Sequence, residues 1–123
     1  MSFSTAINCM DGRTQLPVNE YMRRRYGTEF VDTITEPGPI RILADQADAG
    51  LLESINHRIG ISVDKHGSKA ICVVGHHDCA GNPVDRATQE GQIRQSVATL
   101  KSRYPEADVV GLWVGETWAV EEV

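Results

Sequence analysis

At 123 residues the chain has the length of one domain, with a core that needs no crosslinks to hold it. Its 41% hydrophobic and 24% charged residues are ordinary for a soluble globular protein, and no apolar run approaches the roughly 18 residues of a membrane helix. A net charge of −5 argues against the non-specific nucleic-acid binding that depends on neutralising phosphates.

The first element is a short strand, Ser4 to Asn8, which delivers Cys9 at its end. A helix is expected from about Pro17 to Tyr26, since proline suits a first helical turn and Gly27 can close the last. Arg23-Arg24-Arg25 is the one basic cluster and reads as a solvated helix face. Glu29 to Thr35 is a second strand by its β-branched and aromatic content, and Glu36-Pro37-Gly38-Pro39 must interrupt regular structure. From about Asp45 to Val63 the spacing of Leu51, Leu52, Ile55 and Ile59 predicts a helix with an apolar stripe. Ala70 to Gly75 carries Ile71-Cys72-Val73-Val74, the continuous apolar run of a strand buried on both faces. Asn82-Pro83 reads as a helix start, with Val84, Ala87, Ile93, Val97 and Leu100 facing the core as far as Tyr104-Pro105. Val109 to Val114 is another buried strand, and Trp118 to Val123 a last one, antiparallel at an edge.

Strands alternating with helices predict a three-layer α/β fold, a four- to five-stranded mostly parallel sheet flanked by helices. Ligands of such sheets gather beyond the carboxyl ends of the strands. Cys9 and His76 both fall just past a predicted strand.

Cys9-Met10-Asp11-Gly12-Arg13 and Gly75-His76-His77-Asp78-Cys79 together supply two thiols and an imidazole. His76-x-x-Cys79 lets one turn present both donors to one ion, and Cys9 joins them if the first and third strands are neighbours. Two sulfurs and a nitrogen suit tetrahedral zinc at about 2.0 to 2.3 Å. The fourth position is open to water or to Asp11. An Arg13 fork holding the Asp11 carboxylate bidentately would keep it off the metal, and the plain alternative is a salt bridge bracing a turn. Cys72, inside an apolar strand, reads as a buried hydrophobe, and His57 and His66 as surface residues. His77 is a neighbour of the site and Asp78 a cap of the ligand loop. Three cysteines without the spacing of a disulfide framework, and an opening stretch without a basic and apolar leader, fit a reduced, cytoplasmic setting.

These motifs resemble those of the β-class carbonic anhydrases. Cys9-Met10-Asp11-Gly12-Arg13 is similar to that family's C-x-D-x-R, and His76-His77-Asp78-Cys79 to its H-x-x-C after glycine. The resemblance implies one zinc-binding domain over residues 1–123, with Zn2+ held by Cys9, His76 and Cys79. It implies Asp11 and Arg13 as the catalytic gating pair, and reversible hydration of carbon dioxide to bicarbonate by zinc-bound hydroxide. It also implies a small-molecule substrate, carbon dioxide or a sulfur analogue, and a homodimer or higher homo-oligomer, while the charge and the lack of a long apolar run argue against a nucleic-acid or membrane partner. Leu112, Trp113 and Trp118 are candidates for the dimer's apolar surface, and for the two tryptophans the plain alternative is a buried edge within the monomer. Carbonyl sulfide and carbon disulfide hydrolases share this scaffold, and a non-catalytic zinc-stabilised binding or regulatory domain is the third reading. Glu36-Pro37-Gly38-Pro39 stands where the family commonly has Asn-Ala-Gly, and Ala80-Gly81 where Gly-Ala or Gly-Gly is usual; only eight residues precede Cys9, where the family carries a helical arm.

Overall fold

A computed structural model describes residues 1–123. Its parallel strands are β1 (Phe3–Cys9), β2 (Phe30–Glu36), β3 (Ala70–His76) and β4 (Asp108–Val114), followed by a short strand β5 (Val120–Glu122). The spatial order is β2-β1-β3-β4-β5, with β5 antiparallel on β4. The α/β sheet expected from the alternating pattern, with its antiparallel edge strand, is therefore present.

The connections explain where the site lies. After β1, helix α1 (Gly12–Tyr26) carries the chain to β2 on one side. After β2, α2 (Pro39–Asp45) and α3 (Ala49–Gly60) bring it back across β1 to β3 on the other. The order of winding reverses between β1 and β3, and such a reversal opens a crevice beyond the strand ends. Cys9 closes β1 and His76 closes β3.

Alternation along the central strands separates two apolar layers. Ile7, Ile71, Val73, Val109 and Trp113 face a layer completed by Ile40, Leu43, Ile55, Ile59, Ile93 and Leu100 from α2, α3 and α4 (Arg86–Arg103). Ala6, Cys72, Val74, Val110, Leu112 and Val114 face Val18 and Met22 of α1. Leu112 and Trp113 are thus interior: Leu112 is no dimer-surface candidate, and Trp113 follows the alternative of burial within the monomer.

Several helix starts differ from expectation. Helix α1 begins at Gly12, because Asp11 caps it by accepting the Arg13 N–H at 2.9 Å. Pro17 lies inside the helix, where its missing N–H leaves the Arg13 carbonyl without an intrahelical donor. The break at Pro37-Gly38 is immediately followed by a helix, for Pro39 occupies the first turn of α2 and Gly38 takes the left-handed conformation before it. The long predicted helix is two: Gln46 ends α2 at a positive φ, and Asp48 restarts α3 by accepting from Leu51 N–H. A π-helical turn, Ile61–Lys65, then leads toward β3. Asn82 does not start α4; Asp85 does, accepting from Thr88 N–H at 2.8 Å. Val84 and Ala87 are consequently exposed, and the inward face of α4 is Gln89, Ile93, Ser96 and Leu100.

At the amino ends of the strands sits a buried hydroxyl network. Thr5 Oγ1 lies 2.6 Å from Ser62 Oγ and donates to Ser68 Oγ at 2.7 Å, and Ser68 donates to the Ala70 carbonyl. Ser62 donates to Asp32 at 2.7 Å, and His66 Nδ1 meets the same carboxylate oxygen at 2.6 Å. His66 is exposed, as expected, but it also stacks on Phe3.

Candidate metal centre

Beyond the carboxyl ends of the same strands the chemistry changes. Cys9 Sγ, Cys79 Sγ and a ring nitrogen of His76 lie within 4.8 Å of one another, all three residues buried, and the two sulfurs are 3.8 Å apart. A strand end and a loop bring them together. The loop stays near the sheet because His77 N–H donates to the Val114 carbonyl, and it turns back because Asp78 adopts a φ of 58° and Asn82 N–H donates to the Cys79 carbonyl.

The imidazole is oriented from its own backbone. His76 Nδ1 lies 2.7 Å from the His77 carbonyl, an acceptor, so Nδ1 carries the proton and Nε2 presents a lone pair. That Nε2 is buried and has no hydrogen-bond partner. Metal-binding histidines typically donate their second nitrogen in this way. Donation from the Cys79 thiol pulls Cys9 down to about 4 against the effect of burial, with His76 assisting. The shared proton correspondingly pushes Cys79 up. Burial draws His76 down, yet the neighbouring Cys9 sulfur and the His77 carbonyl outweigh it and leave the net shift upward. Two soft sulfurs, one already favouring the thiolate, and an aimed nitrogen lone pair fit a zinc-like cation.

The supports were not visible in the motifs. Gln89 of α4 reaches the end of β3, where its Oε1 accepts the His76 N–H at 3.1 Å and its Nε2 donates to the His76 carbonyl at 2.9 Å. Gly75 makes room for that reach: a Cβ there would lie 2.8 Å from Ile40 Cδ1 and 2.9 Å from Gln89 Oε1. Behind Cys79, Gly81 abuts Pro37, and Gly38 abuts Asn82, with added Cβ atoms meeting carbons at 2.6 and 2.8 Å. The Pro37-Gly38 segment is therefore a wall of the ligand loop. In α1, Gln15 Nε2 donates to the carbonyls of Cys9 and Asp11, and Thr14 Oγ1 to that of Asp11.

Asp11 and Arg13 meet at the start of α1. A helix cap faces its own first turn, and Arg13 Nε and Nη2 grip the Asp11 carboxylate at 3.1 and 2.7 Å. The guanidinium holds Asp11 down to about 2. Arg13 also reaches Asp78, through its carboxylate at 3.2 Å and its carbonyl at 3.1 Å. Its Cζ lies over the Trp118 ring, 4.4 Å from the centroid. His77 stays outside the donor cluster, with its ring 6.4 Å from Trp118. Cys72 is fully buried in β3, away from the cluster, and burial pushes its thiol up to about 12. His57 is exposed.

An α/β sheet with a Cys-His-Cys cluster at its switch point and an Asp-Arg pair beside it defines a class of protein. The family model described as "Putative carbonic anhydrase" matches residues 1–123, and the chain belongs to that family. Among solved structures it is similar to the carbonic anhydrase from Streptococcus mutans, at 18% identity and a TM-score of 0.63, over 98% of this chain and 80% of that one. The carbonic anhydrase from Glaciozyma antarctica is similar at 19% identity and a TM-score of 0.61, over 97% of this chain and 80% of that one. So is a tetrameric β-carbonic anhydrase from Sordaria macrospora, at 15% identity and 0.57, over 99% and 80%. At such identities these likenesses concern the fold. No curated protein matches the chain. No helix is long and apolar enough to cross a membrane.

Proposed function

We propose that residues 1–123 form a zinc-binding domain that hydrates carbon dioxide reversibly to bicarbonate, with Cys9 Sγ, His76 Nε2 and Cys79 Sγ as the protein ligands. The observation that carries this reading is the buried, partnerless His76 Nε2 beside two thiols. A buried acceptor without a partner is costly, and a cation bound there removes the cost. Zinc, when bound, lowers the pKa of water in its open position toward about 7 and so supplies a nucleophile near neutral pH.

The chain's own residues keep that position open. Arg13 occupies both Asp11 oxygens, so the carboxylate faces the guanidinium and remains an acceptor for a proton donor at the site. His77 O fixes the His76 tautomer, and Gln89 fixes the backbone that carries it. Burial of the three ligands keeps bulk water from competing with their electrostatics.

Metal analysis joined to stopped-flow hydration on the same preparation tests the reading. One bound zinc per chain and a hydration rate above buffer are expected; a metal-replete protein with the buffer's rate overturns it. A second reading, hydrolysis of carbonyl sulfide or carbon disulfide, is favoured by one observation: the unusual Pro37-Gly38 segment packs directly on the ligand loop. Hydrogen sulfide release from either substrate decides between them. A homo-oligomer fits the family, and sedimentation of the zinc-loaded protein measures it. A cytoplasmic setting suits ligands that must remain free thiols.

A further inference from the structure

We propose that Trp118, together with Asp78, is a positioning residue that locks Arg13 in place and thereby keeps Asp11 turned from the fourth metal position. This rests on the metal-site reading above and extends it to residues outside the ligands and the Asp11–Arg13 pair.

Arg13 projects from the exposed first turn of α1, where a long side chain ordinarily samples many rotamers. Four of its five N–H donors are nevertheless engaged: Nε and one Nη2 hydrogen with Asp11, the other Nη2 hydrogen with the Asp78 carbonyl, and one Nη1 hydrogen with the Asp78 carboxylate. Arg13 Cζ lies over the Trp118 ring, 4.4 Å from its centroid, within the range of a cation–π contact. The fork is thus held by two carboxylates and a carbonyl, with a ring beneath its central carbon. Asp11 is the residue the fork grips on both oxygens, so whatever fixes the fork fixes the carboxylate.

The backbone supports a functional reason for the tryptophan. β4 and β5 are joined by a loop, Glu116 to Trp118, closed by Trp118 N–H to the Gly115 carbonyl and Gly115 N–H to the Ala119 carbonyl. The third residue of such a loop is left-handed, and glycine is the usual occupant. Trp118 stands there at a φ of 62°, a conformation costly for a bulky side chain. Three non-glycine residues in the chain have positive φ: Gln46, Asp78 and Trp118. Gln46 is a helix cap, and the other two meet at Arg13. Strain held in two separate loops converges on one guanidinium, and strain of this kind is kept where the surroundings require it. Trp118 also packs against the apolar layer under α1, so a purely structural role must be separated by experiment.

Trp118→Gly is the discriminating variant, because it relaxes the turn while removing the ring; Trp118→Asn replaces it should the glycine variant fail to fold. Trp118→Phe keeps an aromatic face. In metal-free, 15N-labelled protein the Arg13 Nε–H resonance, identified by its loss in Arg13→Lys, should be ring-shifted and slow to exchange. In Trp118→Gly it should lose that shift and exchange about fivefold faster, the bias a cation–π contact supplies, with recovery in Trp118→Phe. In cobalt-loaded protein the visible bands of Trp118→Gly should move toward those of Arg13→Ala, and the movement should vanish when Asp11→Asn is added. An unchanged resonance in folded Trp118→Gly overturns the proposal. So does a changed resonance with unchanged cobalt bands, for the clamp then does not govern Asp11. Failure of every variant to show thiolate-to-cobalt bands refutes the metal reading instead, while the metal-free resonance still decides the clamp.

Discussion

The two ends of the central sheet hold similar amounts of buried polar chemistry and use it in opposite ways. At the amino end, the Thr5, Ser62 and Ser68 hydroxyls satisfy one another and pass on to Asp32 and the Ala70 carbonyl. At the carboxyl end, His76 Nε2 is buried without a partner and two sulfurs stand 3.8 Å apart. A network whose members close on themselves holds strands in register. One that leaves a lone pair aimed at two thiols is complete only with something bound. Asn8 Oδ1, Tyr26 Oη and Asn82 Oδ1 are buried without partners too, so what marks the carboxyl end is an unsatisfied nitrogen that shares its space with two thiols.

The sharpest way to break this comparison is Cys79→Ala. With free zinc at about 1,000 times its dissociation constant, the metal adds about 4 kcal/mol to wild-type stability. Chelation should remove that increment from the wild type and find nothing to remove in Cys79→Ala, as denaturant titration with and without chelator will show. Gln89→Ala comes next. It strips partners from the backbone of His76 and should cost about 3 kcal/mol, with metal affinity about 10- to 100-fold weaker by competition with a chromophoric chelator. Thr5→Val, at the other end, should cost about 1–3 kcal/mol by taking one hydrogen-bond partner each from Ser62 and Ser68, which keep Asp32 and the Ala70 carbonyl, while leaving metal affinity unchanged. A loss of metal in that variant would mean the two ends are not independent. The smallest effect concerns pH. The Thr88 hydroxyl and N–H hold Asp85 below its ordinary value, so its charge stabilises α4 fully above about pH 4 and progressively less as pH falls through the lower native value. Asp85→Asn keeps the cap without the charge and should flatten the melting temperature over that acid range in metal-free protein.

Much of the carboxyl end was legible because its chemistry uses rare residues at short spacings. Cys9, His76 and Cys79 announce themselves, and the Ile71–Val74 run places them at a strand end. The supports are common residues brought in from a distance. Gln89 is one of many polar residues on α4, and nothing in its neighbours says that its amide pairs with a strand terminus. Trp118 reads as apolar surface, since a left-handed tryptophan leaves no local trace. Helix starts were misplaced for a related reason: Pro17 and Asn82-Pro83 are strong local signals, but Asp11 and Asp85, with their own first-turn N–H groups to cap, determine where α1 and α4 begin. The Thr5 network was invisible because serine and threonine are ordinary everywhere, and tertiary pairing alone makes them a cluster.

Gly75 contributes to the centre through the side chain it lacks. With Ile40, Gln89 and Ile93 all within 3.0 Å of where its Cβ would stand, the ligand loop is matched to one particular helix at one particular height above the sheet. The His-x-x-Cys turn is therefore not a portable cassette. Grafted onto another parallel sheet, it would need the bare position before the histidine and a helix bearing an amide opposite it. A designer who copied only the ligands would transplant the donors and leave their alignment behind.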